Sequence, residues 1–399
     1  MSAGPAGLLR TGPARNLTLV GALVFIGDGA EPLALLLFLV HAAGSFGAAG
    51  LVIGCYGLSA AVTAPLRGRL TDRHGVSTLV AVAVLHLLLT LLLVAAGQAR
   101  APLAVLVVVA AALGTGYSVA FAAMRSAWSR LTGEAERGQA YALQAVLQEV
   151  GYIGGPLIAG ALIAVAGATA ALLVTAVLTC AATLAFGRLA AVRSQPRAEV
   201  RLWGRPAVVA SGPLAVLVAT TVPSCLAFGV VEVNLPAYAT EHALPGIAGL
   251  LLALIAVGSI LGGLGYGRRS WRSAVSQRYA ATLLALTMTM SALALADSVP
   301  ALVLLTLLVG LPAAPMITCR YLLLDGTVPA DSANEAFMWI TTADAVGTAV
   351  GQALGGVLVE HGSFTVVSLA AGLAAALALA AAVLGGQVLR RSVPRELTV

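Results

Sequence analysis

Residues 68–75 read Gly68-Arg69-Leu70-Thr71-Asp72-Arg73-His74-Gly75, a short charged stretch between two long apolar runs. Residues 46–66 before it carry no charge, and residues 77–97 after it carry no Asp, Glu or Arg. A helix needs about 20 apolar residues to cross a bilayer, so each flank can span. The stretch between them then reads as a turn at one membrane face. Its residue types suit that place. Gly75 tolerates the dihedrals of a tight turn, and Gly68 lets two helices approach closely. Asp72 can cap a helix N-terminus or pair with an Arg such as Arg73.

The same alternation extends over all 399 residues, of which 60% are hydrophobic and 10% charged. Mean hydropathy is +0.99. A soluble domain carries about 25% charged residues, so lipid is the expected solvent. Twelve apolar runs are long enough to span, near 17–40, 46–67, 77–97, 103–124, 139–164, 168–187, 213–239, 246–267, 277–296, 300–322, 335–359 and 364–386. The expected fold is therefore an all-α integral membrane protein of twelve transmembrane helices. Residues 1–187 and 213–399 form two pseudo-symmetric six-helix bundles, the second with a short tail. An Arg-rich linker, 188–212, joins them and carries Arg188, Arg193, Arg197, Arg201 and Arg205.

All 22 basic residues are Arg. With the N-terminus in the cytoplasm, 21 of the 22 fall on the cytoplasmic side and only Arg100 outside, as the positive-inside rule requires. Both termini are then cytoplasmic. The Ala-, Gly- and Leu-rich, Lys-free composition points to a GC-rich bacterium, hence a bacterial inner membrane. Without Lys the chain has no phosphate-binding P-loop, so ATP hydrolysis by that route is excluded. Cys55, Cys180, Cys225 and Cys319 all lie in apolar runs without metal-ligand spacing and read as small core residues. No metal, cofactor, enzymatic constellation or nucleic-acid site is expected; the cytoplasmic arginines account for the net charge of +6. The first apolar run is itself long enough to span, so no cleaved signal peptide is expected.

The two halves repeat. Asp28 and Pro32 match Glu232 and Pro236 at an offset of 204. Arg125, Gln139-Ala140-Tyr141 and Gly151, Gly155, Gly160 match Arg320, Glu335-Ala336-Phe337 and Gly347, Gly351, Gly356 at offsets of 195 and 196.

Residues 68–75 resemble the signature loop of the major facilitator superfamily, which lies between the second and third spans. They depart from it at Val76 and Ser77, where that family usually has basic residues. The resemblance implies twelve helices, transport by alternating access, a monomer, and a central path lined by helices 1, 4, 7 and 10. It also implies that Asp72 closes a cytoplasmic gate near Asn334-Glu335, with Arg125 beside it. Residues 151–160 in the fifth span are similar to the glycine-proline element of drug and metabolite antiporters in that family, with Ala159 in place of one Gly. Physically, Gly151, Gly155 and Gly160 make a flat packing face and Pro156 allows a bend. Drug–proton antiporters of the family often carry an Arg four residues before a Gly-x-Gly in the fourth span. Here Gly114-Thr115-Gly116 is present and that position is Ala110.

Five acids fall within spans: Asp28, Glu31, Glu149, Glu232 and Asp344. A charged side chain at the bilayer centre costs about 2.5–3.5 kcal/mol on insertion scales, so these residues are candidates for proton and substrate binding. Asn234 is the chief uncharged polar candidate. Asp28 and Glu232 become a pseudo-symmetric pair across the path. Desolvation and a neighbouring acid both disfavour ionisation, and such a carboxyl can exchange a proton for a cationic substrate. His86 reads as a packing residue, and Arg125 and Arg320 as helix-end residues at the cytoplasmic face. No Arg is expected at comparable depth, which argues against anionic substrates. The expected function is proton-coupled export of a small cationic or neutral, partly apolar molecule, such as a drug or natural product. A proton-coupled nutrient importer shares nearly every feature, and a non-transporting membrane sensor or scaffold is a third alternative.

Overall fold

A computed structural model describes residues 11–117, 120–132, 134–189, 192, 212–244, 246–269, 271–327 and 333–392. Among these the regular structure is helical throughout, as a bilayer demands: with no water to satisfy N–H and C=O groups, the backbone must bond to itself. The helices are α1 (Gly12–Ala43), α2 (Phe46–His74), α3 (Val76–Gln98), α4 (Leu103–Thr115), α5 (Ala120–Leu131), α6 (Glu134–Arg188) and α7 (Gly212–Glu241). They continue with α8 (Ile247–Gly267), α9 (Val275–Ala292), α10 (Val299–Gly310), α11 (Ala313–Thr327), α12 (Ala333–His361), α13 (Phe364–Leu384) and α14 (Gly386–Ser392).

Ten helices among the described residues are long and apolar enough to cross a membrane. Two local features separate this count from the expected twelve. The first is α6, 55 residues long, or roughly 80 Å at about 1.5 Å per residue, far beyond a hydrocarbon core of about 30 Å. At Gly167 the backbone leaves the helix (φ 82°, ψ 166°), so α6 supplies two crossings, the fifth and sixth spans. The second is the fourth expected span, which is broken into α4 and α5 where Gly114 and Gly116 weaken the helix. The tenth is likewise interrupted between α10 and α11, at Leu311-Pro312. Pro312 has no N–H to continue the ladder.

The quoted stretch 68–75 is not a loop. Its first seven residues are the last two turns of α2, and Gly75 alone makes the corner before α3. Gly75 adopts φ 63°, which a residue with a Cβ reaches only with strain. Gly68 does not serve close packing: a Cβ there would meet open space among the described residues. The side chains of Asp72, Asn334 and Glu335 and nearly all of the 188–212 linker lie outside what the structure describes, and so does the expected gate.

By packing, the described chain forms two units. One comprises the described residues of Met1–Gly44, Leu58–Trp203 and Leu244–Ala253; the other those of Ser45–Gly57, Gly204–Ala243 and Leu254–Val399. In the first, α1 lies along the first segment of α6. A Cβ on Gly155 would strike the backbone of Gly29 and Ala30, and one on Gly151 would come within 2.5 Å of the Phe25 carbonyl oxygen. The core beneath includes Leu17, Val24, Phe25, Met124, Trp128 and Phe186. Lipid tails are as apolar as these side chains, so close van der Waals fit, rather than exclusion of water, favours the contact. The first turns of α8 join this unit where Gly249 meets Pro156, and a Cβ on Gly160 would lie 3.0 Å from the Gly249 Cα. In the second unit α7 runs along α12, with Gly351 against Leu226 and Gly347 against Val222. The first half of α2 packs there too, its Gly50 against Gly356.

Candidate functional site

α1 sets Asp28 and Glu31 one turn apart and is held by Gly29 against Gly151 of α6. Glu31 is buried, and its Oε1 lies 2.9 Å from Nε2 of His86 on α3. Asp28, Glu31, His86, Gly116, Thr179, Cys180 and Thr183 line one narrow cavity. Its free space, about 10 Å³, holds about one water molecule. Gly116, at the break between α4 and α5, packs so closely that a Cβ would lie 3.2 Å from the His86 backbone. Non-helical backbone at membrane depth is tolerated where protein or a polar cavity satisfies it, and both conditions hold here. Arg67 of α2, 5% exposed, donates to the Gly114 carbonyl oxygen (2.6 Å) and to that of Ala60 (2.8 Å). The guanidinium is thus a second donor to the Gly114 carbonyl oxygen, which also accepts from the Tyr117 N–H at 3.2 Å, and it lies 5.8 Å from the Tyr117 ring.

The Glu31 carboxyl and the His86 imidazole are in direct contact, and Asp28 faces the same water-sized space. His86 is therefore part of the acid cluster and not a packing residue. Its signal in the sequence was its place as the only ionisable side chain in the otherwise apolar run 77–97.

A second cluster lies in the other unit. Arg320 of α11 is 1% exposed. Its Nη1 donates to Asp344 Oδ1 at 2.6 Å and its Nη2 to Ser224 Oγ at 3.3 Å. The Cys225 thiol donates to the same Asp344 oxygen at 2.9 Å. Arg320, expected as a helix-end residue, is instead buried inside the protein against Asp344. Because the tenth span restarts at Ala313 and runs to Thr327, Arg320 falls inside a helix rather than at its end. Its repeat partner Arg125 is exposed, 4.8 Å from the Tyr141 ring. Arg73 is also exposed.

The remaining candidates are dispersed. Glu232 accepts from Gln352 Nε2 at 2.9 Å, and no cation pairs with it among the described residues. Asn234, buried, donates to Ser368 Oγ at 3.0 Å and serves the α7–α13 contact. Glu149 is half-buried and does not line the cavity.

The symmetry of Asp28 and Glu232 does not survive in the contacts. Gly151 meets Phe25, and its counterpart Gly347 meets Val222; 25 therefore corresponds to 222, an offset of 197. Gly155 with Gly29 and Gly351 with Leu226 repeat that value. Asp28 then corresponds to Cys225, beside Asp344. Glu232 lies seven residues further along its helix, about 10 Å at about 1.5 Å per residue. The acid and proline four residues apart at Asp28–Pro32 and Glu232–Pro236 thus fall at non-equivalent positions of the packing repeat.

Comparison with known proteins follows this geometry. The family model described as Major Facilitator Superfamily matches residues 17–281. Among solved structures, a point mutant of the nucleoside transporter NupG superposes with a TM-score of 0.74 at 15% identity, over 94% of this chain and 99% of that one. A bacterial homologue of the iron transporter ferroportin, in its inward-facing state, gives 0.70 at 18% identity, over 96% and 98%. A bacterial homologue of the human lysosomal transporter Spinster, inward-facing and occupied, gives 0.71 at 15%, over 95% and 97%. At these identities the likeness is one of fold. No curated protein matches the chain.

Proposed function

The chain belongs to the major facilitator superfamily, and on that premise we propose that it is a secondary active transporter. It exports a small cationic or neutral, partly apolar molecule in exchange for protons. The observation that carries this reading is the Asp28–Glu31–His86 cluster around a water-sized cavity beside a broken helix. Substrate and coupling-ion sites in such carriers are commonly built at discontinuous helices. A drug-sized ligand needs about 300–1,000 Å³, so this cavity suits a proton and not the cargo. The substrate class follows from charge. Both buried guanidiniums are engaged, Arg67 by carbonyl oxygens and Arg320 by Asp344, which leaves neither as an anchor for an anion. Glu232 has no cation partner among the described residues and suits a positively charged group. The protein acts as a monomer in a bacterial inner membrane with both termini in the cytoplasm. One proton entering across about 100 mV releases about 2.3 kcal/mol, enough for a gradient of roughly fifty-fold in a neutral substrate at about 1.4 kcal/mol per tenfold.

The test is efflux of ethidium from cells lacking their own pumps, for the wild type and for Asp28→Asn, Glu31→Gln and Glu232→Gln. Efflux that stops with protonophore and is lost in the first two variants supports the reading. Efflux that persists in all three removes the cluster from the mechanism. Substrate-dependent alkalinisation of the medium would instead make the chain a proton-coupled importer.

A further inference from the structure

The turn between α8 and α9 carries Arg268, Arg269 and Arg272, the first turn of α9 carries Arg278, and no acid occurs between Glu241 and Asp297. None of the four makes an ion pair among the described residues. The first three are exposed and Arg278 is half-buried. Two of them, Arg269 and Arg278, flank a fixed aromatic plate. Trp271 and Tyr266 stack with ring centroids 4.9 Å apart. The Trp271 indole N–H is fastened to the Tyr266 carbonyl oxygen at 2.9 Å. Arg269 lies 4.9 Å from the Trp271 ring and Arg278 5.9 Å from it. Arg278 Nη1 donates to the Tyr266 hydroxyl at 2.7 Å, while its buried Nε has no acceptor among the described residues.

We propose that this turn is a binding site for the phosphate of an anionic phospholipid headgroup. Four guanidiniums within eleven residues need counter-charge, and no acid among the described residues pairs with them. The turn joins two spanning helices, so it sits at the depth of the headgroups, where Trp and Tyr are at home. Guanidinium donors match phosphate oxygens in pairs. Stacking on the pinned Trp271–Tyr266 plate restrains Arg269 and Arg278 before the lipid arrives, which lowers the ordering cost of binding. An anionic lipid is preferred over a zwitterionic one because its headgroup brings no ammonium into the arginine cluster. The site is coupled to the interior through Tyr266, whose hydroxyl lies 3.2 Å from the Cys319 thiol, next in sequence to Arg320.

The experiment is native mass spectrometry of the full chain extracted into mild detergent, with phosphatidylglycerol or phosphatidylcholine titrated in. Arg269→Gln/Arg272→Gln is compared with the wild type. Each basic residue at a membrane surface is worth about five-fold in binding, so the pair should weaken phosphatidylglycerol binding about thirty-fold and leave phosphatidylcholine unchanged. Equal phosphatidylglycerol binding by both proteins would overturn the proposal. If the pair unfolds, Arg272→Gln alone should still weaken binding about five-fold, since its exposed side chain makes no contact among the described residues. A separate arm adds inorganic phosphate to the wild type in detergent without anionic lipid. Thermal stabilisation as large as that given by phosphatidylglycerol would make this a free-anion site and reject the lipid.

Discussion

The Arg320–Asp344 pair makes an asymmetric prediction. The Arg320 side chain is 1% exposed and that of Asp344 34%. Asp344→Leu leaves a buried guanidinium with only neutral partners, the Ser224 hydroxyl at 3.3 Å among them. Stranding a buried charge costs about 3–5 kcal/mol. Arg320→Met strands a carboxylate that water already reaches and that keeps the Cys225 thiol. Its cost should be nearer the loss of one charged hydrogen bond, about 1.5–3 kcal/mol. The double variant removes both charges and substitutes apolar groups of similar length, so it should be less damaged than Asp344→Leu alone. Thermal unfolding of detergent-solubilised protein, followed by size-exclusion chromatography of heated samples, gives the ordering directly. Additive losses in the double variant, or an Arg320→Met that falls below Asp344→Leu, would refute the account of this pair.

Other outcomes follow from single contacts. Gly151→Ala should destabilise the protein by about 1–3 kcal/mol or more through forced separation of two helices, because its Cβ would press on the Phe25 carbonyl oxygen. Gly68→Ala, which meets open space, should change the melting temperature little; an equal loss at both positions would contradict the packing described. His86→Gln should retain substrate exchange without a gradient while losing proton-driven accumulation, measured as counterflow against gradient-driven transport in vesicles. Arg67→Met removes the 2.6 Å charged hydrogen bond to the Gly114 carbonyl oxygen, which keeps the Tyr117 N–H, and should cost about 1.5–3 kcal/mol, read from the same thermal assay.

Much of the fold was legible because lipid leaves few choices: a run of about 20 apolar residues in a bilayer can hardly be anything but a helix. The interruptions were less legible. Gly114, Gly116 and Pro312 stood in the sequence, but a glycine pair or a proline can sit in a continuous transmembrane helix as readily as break one. The extent of α2 through residues 68–74 was hidden by charge, since Arg and Asp are as compatible with the last turns of a helix as with a loop. For the site, Asp28 and Glu31 were visible because a carboxyl in an apolar run is costly. His86 and Arg320 were misjudged because their partners, Glu31 and Asp344, are 55 and 24 residues away in sequence, and burial depends on that pairing. The false equivalence of Asp28 and Glu232 arose from matching residue types without the packing glycines that set the true register.

The most direct test of proton coupling uses purified protein in vesicles with a valinomycin-clamped membrane potential, so that a lipophilic cation responds to pH alone. Tetraphenylphosphonium is the probe, with the vesicle interior made acidic by one pH unit. Exchange of one proton per cation predicts accumulation of roughly tenfold, since one pH unit is about 1.4 kcal/mol. Accumulation should disappear with protonophore and in Asp28→Asn/Glu31→Gln. Accumulation that ignores the pH gradient, or that is unchanged in the double variant, would contradict proton coupling through this cluster.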